Sequence, residues 1–164
     1  MAYTSPYKLP DEHMRLVGII AAHWEHVDYI LQRAVAEVMG FQMGTVQLLT
    51  ENLSVAAKID LLIAYARESL DKEEFSEFTK VIGKVQSAYG RRNTFVHAKW
   101  GPNDSAAAEP WRISWRTKGG RISVVNQPTP LSDLEEAAQM IWQTCGLLTD
   151  MLRFYDILLP APQS

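Results

Sequence analysis

Apolar residues recur at helical spacing through most of the chain. Over residues 11–40 they fall at Val17, Ile20, Trp24, Val27, Leu31, Ala34 and Val38, the stripe of one long amphipathic helix with Gly40 as its stop. Residues 40–53, GFQMGTVQLLTENL, break that stripe and predict a connector with room for one helical turn. Ser54 then caps a second helix, which buries Ile59, Leu62, Ala66 and Leu70. Asp71 and Glu74 have the spacing of a capping box. On the helix they open, Phe75, Phe78, Ile82, Val85, Tyr89, Arg92 and Val96 follow a strict three-four alternation. One member of that seam is a cation.

Residues 101–110, GPNDSAAAEP, interrupt the helical period and predict an exposed loop. The period then changes to two. WRISWRTKGGRISVVNQ, residues 111–127, reads as a β-hairpin around Gly119 and Gly120, a pair suited to a tight primed turn. That turn sets Trp115 opposite Val124 and Ile113 opposite Asn126. Trp111 shares this face, which is expected to pack on the helices, while Arg112, Arg116, Lys118 and Arg121 fall on the other. Ser132 and Glu135 suggest a second capping box for a last helix marked by Leu134, Ala138, Ile141, Cys145, Leu148, Leu152, Tyr155 and Leu159, stopped by Pro160. The expected fold class is all-α: an antiparallel four-helix bundle with a β-hairpin inserted before the last helix. It would span residues 11–159, between a flexible lead (1–10) and a short tail (160–164).

Composition adds bounds. A chain of 164 residues, 47% hydrophobic and 21% charged, is one domain large enough to bury a core unaided. Its lone cysteine, Cys145, gives no internal disulfide framework and no cysteine-rich zinc site, which points to a reducing compartment. No apolar run approaches about 18 residues, and MAYTSPYKLP has no signal-peptide pattern. The expectation is a cytoplasmic protein with no membrane association.

Charge changes the picture more. The formal net charge is −3, yet the segment 80–121 holds nine basic residues against two acidic ones. That stretch is +7 and the remainder −10. A polyanion would feel the segment rather than the average. The plainer reading is that basic residues gather near a helix C-terminus and on hairpin surfaces.

Arg92, Asn93 and His97 lie within this segment. Asn93 and His97 are four residues apart on one helical face, and the long Arg92 side chain can lean toward them from the seam. A buried guanidinium needs a carboxylate, water or an anionic ligand. Glu25 and Asp28 of the first helix are candidate structural partners. A competing constellation is His23 and His26 in HWEH, spaced to ligate a metal. No Glu-x-x-His accompanies it, and His23 adjoins Ile19, Ile20, Val27 and Ile30, as a core histidine would. Cys145 sits mid-stripe, in the manner of a packed thiol.

The stretch RNTFVH, Arg92 to His97, resembles the R-x4-6-H signature of HEPN domains, and helices with a short insert before the last one resemble that family's architecture. The resemblance covers about residues 11–159 in outline. It implies a metal-independent endoribonuclease, without cofactor, that acts as a homodimer with two such motifs lining one cleft. Arg92 would stabilise charge on the phosphorus, His97 would move the proton of the ribose 2′-hydroxyl, and Asn93 would orient the phosphate or the histidine. Arg91, Lys99, Arg112, Arg116, Lys118 and Arg121 would contact RNA phosphates. Toxins of this family that a partner enzyme modifies resemble R-x4-H-x-Y, and here Lys99 replaces that tyrosine. The alternative expectation is a non-catalytic helical interaction module of a toxin–antitoxin or defence system, with a protein antitoxin as partner.

Overall fold

A computed structural model describes residues 9–40, 52–101, 109–118 and 121–157, with backbone alone for 114–118, 121–123 and 125. Its elements are α1 (Asp11–Val38), α2 (Val55–Ser69), α3 (Lys72–Val96), β1 (Lys99–Gly101), β2 (Trp111–Lys118), β3 (Arg121–Pro128) and α4 (Leu131–Phe154). The described residues are thus mostly helical, with a small antiparallel sheet between α3 and α4.

Local chemistry sets most helix ends. Gly40 has φ +66°, the left-handed conformation that stops α1 at low steric cost. Ser54 Oγ accepts from the Ala57 amide at 3.2 Å. Asp71 accepts from the amides of Glu73 and Glu74 at 2.9 Å, and Glu74 accepts in return from the Asp71 amide at 3.1 Å, closing the expected capping box.

The last helix departs from expectation at both ends. Pro130, extended at φ −66° and ψ 155°, starts α4, so Ser132 lies inside the first turn and no side chain caps it. Proline's fixed φ suits a helix entry and pre-empts the Ser132–Glu135 box. At the other end α4 stops at Phe154, not near Leu159. Asp156 turns left-handed at φ 53°, and the Ile157 amide reaches back to the Leu152 carbonyl at 2.8 Å. Ile157 is buried by that turn, which is what holds the reversal.

The core forms where the four apolar faces meet. Ile20, Trp24, Val27, Leu31 and Ala34 of α1 face Ile59 and Leu62 of α2, Phe78, Ile82 and Val85 of α3, and Ile141, Cys145 and Leu148 of α4. α1 touches the other three helices, and α4 also packs along α3. Across that contact the Tyr155 hydroxyl donates to the Glu74 carbonyl at 3.2 Å, tying the end of one helix to the start of the other.

The sheet order is β1-β2-β3. The β2–β3 register sets Trp115 against Val124 and Ile113 against Asn126, as the hairpin pattern predicts. β1 is an addition: Lys99 pairs with Ile113 and Gly101 with Trp111. Three residues hold no readable alternation, so the strand exists because β2 offers it an edge. A Cβ on Gly101 would lie 3.1 Å from Ile113 Cδ1, a fit that favours glycine. The expected division of hairpin faces also changes. Val124, assigned to the packing face, is 52% exposed, whereas Arg112, assigned to the outer face, lies over Phe95 of α3. An aromatic edge of the helical core attracts the guanidinium more than open solvent does.

One buried ion pair fixes α2 to α1. Lys58 Nζ donates to both oxygens of Asp28 at 2.8 and 2.9 Å, and Gln32 donates to Asp28 at 2.8 Å. The two charged side chains are 4% and 16% exposed. Residues 41–51 of the 40–53 connector in which a helical turn is expected, the Gly119–Gly120 turn, the side chains of Trp115, Arg116, Lys118 and Arg121, and the chain beyond Ile157 lie outside the described residues.

Removing one partner strands the other charge in the interior, so Asp28→Ala should lower stability by about 3–5 kcal/mol. The double variant Asp28→Ala with Lys58→Met should recover most of that loss. Urea denaturation of the three proteins checks both outcomes.

Candidate functional site

The end of α3 gathers the expected residues. Arg92 lies on the seam between buried Ala88 and buried Phe95, where its stem packs and its head must find acceptors. Its side chain is 16% exposed. Nη1 donates to Asn93 Oδ1 at 3.0 Å and also meets His97 Nε2. Nη2 lies 3.8 Å from the exposed Glu25 carboxylate, a long contact, and Nε is buried without a hydrogen-bond partner. Asp28, the other candidate partner, is held by Lys58 instead.

These contacts decide orientation at two side chains. A guanidinium has no acceptor, so His97 accepts at Nε2 and its ring proton sits on Nδ1. Asn93 accepts through its oxygen, which leaves its NH2 as a donor. His97 is the C-cap of α3 and is exposed.

Beside them opens a cavity of about 440 Å³ between the end of α3 and the sheet. Asn93, Thr94, His97, Lys99, Arg112 and Ile113 line it, and Gly90 and Ala98 leave it room. Among the described residues no carboxylate lines this cavity. Arg112 reaches it from β2, where Nη2 donates to Gln127 of β3 at 2.6 Å and Cζ stands 5.7 Å from the Phe95 ring centroid. Arg91 faces the same ring at 5.8 Å, so two arginines flank one buried phenylalanine. Arg91 also approaches Glu136 of α4 at 3.9 Å and does not line the cavity. The structure therefore brings together Arg92, Asn93, His97, Lys99 and Arg112, and directs Arg91 elsewhere.

The rival centres resolve differently. His23 Nδ1 donates to the Ala138 carbonyl at 3.2 Å, and its ring packs 5.1 Å from that of Trp142, which makes it a bridge between α1 and α4. His26 lies beside Tyr29 instead. Among the described residues no group of three or more His, Cys, Asp or Glu could hold a metal ion. A further histidine escaped the sequence pattern: His13 is buried, with Nε2 donating to the Thr129 carbonyl at 3.0 Å. It fastens the start of α1 to the chain entering α4. Burial pushes the Cys145 thiol above its ordinary range, against a smaller opposing hydrogen bond with Thr149. Among the described residues, no helix is long and apolar enough to cross a membrane.

No protein-family model, curated protein or solved structure matches this chain.

Two measurements follow from this geometry. Long-range ¹H–¹⁵N spectra at neutral pH should find His97 protonated at Nδ1, and Arg92→Met, which removes the donor, should move the population toward the Nε2–H tautomer. A wild-type ring protonated at Nε2 would contradict the Arg92 contact. Cys145 should react slowly with iodoacetamide at pH 8 in the folded protein and rapidly in urea, because the raised pKa and burial both suppress the thiolate.

Proposed function

We propose that this protein is a HEPN-like four-helix bundle that binds RNA as a homodimer and cleaves it without a metal ion. The observation that carries the reading is the meeting of Arg92 and His97 at the rim of a cavity free of carboxylates among the described residues. Exposed Met140, Trp142, Leu147 and Phe154 on α4 supply apolar surface of the kind a second copy would cover.

In this reading His97 is the base. Arg92 occupies its Nε2 lone pair at rest, so the guanidinium first moves from the imidazole to a non-bridging oxygen of the incoming phosphate. The freed Nε2 takes the proton of the ribose 2′-hydroxyl. The 2′-oxygen bonds to phosphorus, the bond to the 5′-oxygen breaks, and the products are a 2′,3′-cyclic phosphate and a 5′-hydroxyl. The leaving oxygen takes its proton from the second subunit's histidine. Arg92 suits its part because it stays charged and offers a planar fork to phosphate, and an imidazole suits proton transfer near neutral pH.

A second reading draws on the Glu25 contact. If Arg92 belongs structurally to α1, the protein is a non-catalytic interaction module of a toxin–antitoxin or defence system.

The purified protein is expected to cut single-stranded RNA in EDTA, leaving 2′,3′-cyclic phosphate ends, and His97→Ala is expected to lose about 10²-fold or more in rate. Intact RNA with wild type, or equal cutting by the variant, would refute the enzymatic reading.

A further inference from the structure

We infer that the outer face of α3 and α4 is a two-fold contact between copies of this chain, in which Phe154 of each copy enters a cavity on the other. This goes beyond the proposed function and does not rest on it, since the face lies away from Arg92 and His97.

The face carries a hole and a knob. The hole is a cavity of about 470 Å³ between the middles of the two helices, where Met140 and Leu147 of α4 stand across from Gly83 of α3. A Cβ on Gly83 would meet nothing within 4 Å, so no packing inside the chain calls for a glycine that a helix interior disfavours. Met140 and Leu147 stay partly in water. The knob is Phe154 at the end of α4, 76% exposed beside Glu73, Glu74 and Glu77. Seven residues of helix, about 10 Å, separate it from Leu147, so the ring does not fill the cavity of its own chain.

Charge identifies the occupant. Along this face α3 is acidic at its start, with Glu73 and Glu77, and basic further on, with Lys80 and Lys84, all four exposed. A two-fold contact has to be self-complementary. An antiparallel second copy meets that demand by laying its acidic end over the basic one. Lys80 already meets Glu77 of its own helix, an exposed pair of little worth that the second copy can exchange.

Knob, hole and charges require the same axis. α3 and α4 run antiparallel, with Tyr155 level with Glu74 and Arg91 near Glu136. Phe154 is therefore level with Glu74, and the cavity with Gly83, nine residues further along α3. A two-fold axis halfway, between Phe78 and Thr79, exchanges the two. That axis also sets Glu77 opposite Lys80 of the second copy and Glu73 opposite Lys84, and Asp150 of α4 falls near it at the level of Lys80. The overlap covers about 400 Å² per copy, the size of a weak, reversible contact. His97 lies about 30 Å along α3 from the axis, so a cleft shared by two Arg92-to-His97 ends would be a separate contact.

The test is sedimentation equilibrium of the full chain from about 10 μM to about 1 mM, the range of weak contacts, with circular dichroism to confirm that each variant is folded. Wild type should associate reversibly. Phe154→Ala and Gly83→Leu should each weaken association by about tenfold or more. Gly83→Leu fills the hole while improving helix propensity, so its Tm should not fall. Lys84→Glu and Glu73→Lys should each weaken association as strongly, and an equimolar mixture of the two should regain it, because every cross pair is then opposite in sign. A wild type monomeric throughout, association unchanged by either Phe154→Ala or Gly83→Leu, or a mixture that stays apart would overturn the contact. A protein that pairs in this way and cuts no RNA would uphold the contact and remove the nuclease reading.

Discussion

A guanidinium placed on an apolar seam has to be satisfied within its own reach, and that constraint at Arg92 organises the end of α3. The stem packs between Ala88 and Phe95, so the head emerges where the helix is about to stop. Asn93 and His97 are the nearest acceptors and both take the bond. From that follow the tautomer of His97 and the orientation of the Asn93 amide. One largely covered cation thus sets the polarity of two neighbouring groups.

Phe95 performs a parallel task one residue turn further on. Its ring is buried at the edge of the core and is flanked by Arg91 from its own helix and Arg112 from β2. Cation–π attraction is strongest where the ring is desolvated. It draws the sheet toward α3, although the sheet contributes little to the hydrophobic core. The hairpin is therefore positioned by a few directional contacts, and the same contacts bring a cation to the rim of the site.

Buried polar groups elsewhere act as fasteners between helices. Lys58 and Asp28 join α2 to α1, His23 joins α1 to the Ala138 carbonyl, and His13 joins the start of α1 to Thr129. Each pairs groups distant in sequence. Two of the four histidines are thereby occupied structurally, while His97 lies at the site.

The sequence by itself determined the helical segments, two of the caps, the core stripes and the register of the hairpin, because each depends on spacing within a few residues. It also singled out Arg92, Asn93 and His97, since a cation interrupting a three-four seam is visible in one dimension. Tertiary structure decided what the period could not express. β1 needed the edge of β2, α4 stopped at Phe154 before a left-handed Asp156, and Arg112 met Phe95 instead of solvent. Lys58 entered the interior because Asp28 waited thirty positions earlier in the chain. Local pattern fixes which face of an element is apolar, but the partner that satisfies a buried charge comes from another element, and only the packing of the two brings them within a hydrogen bond.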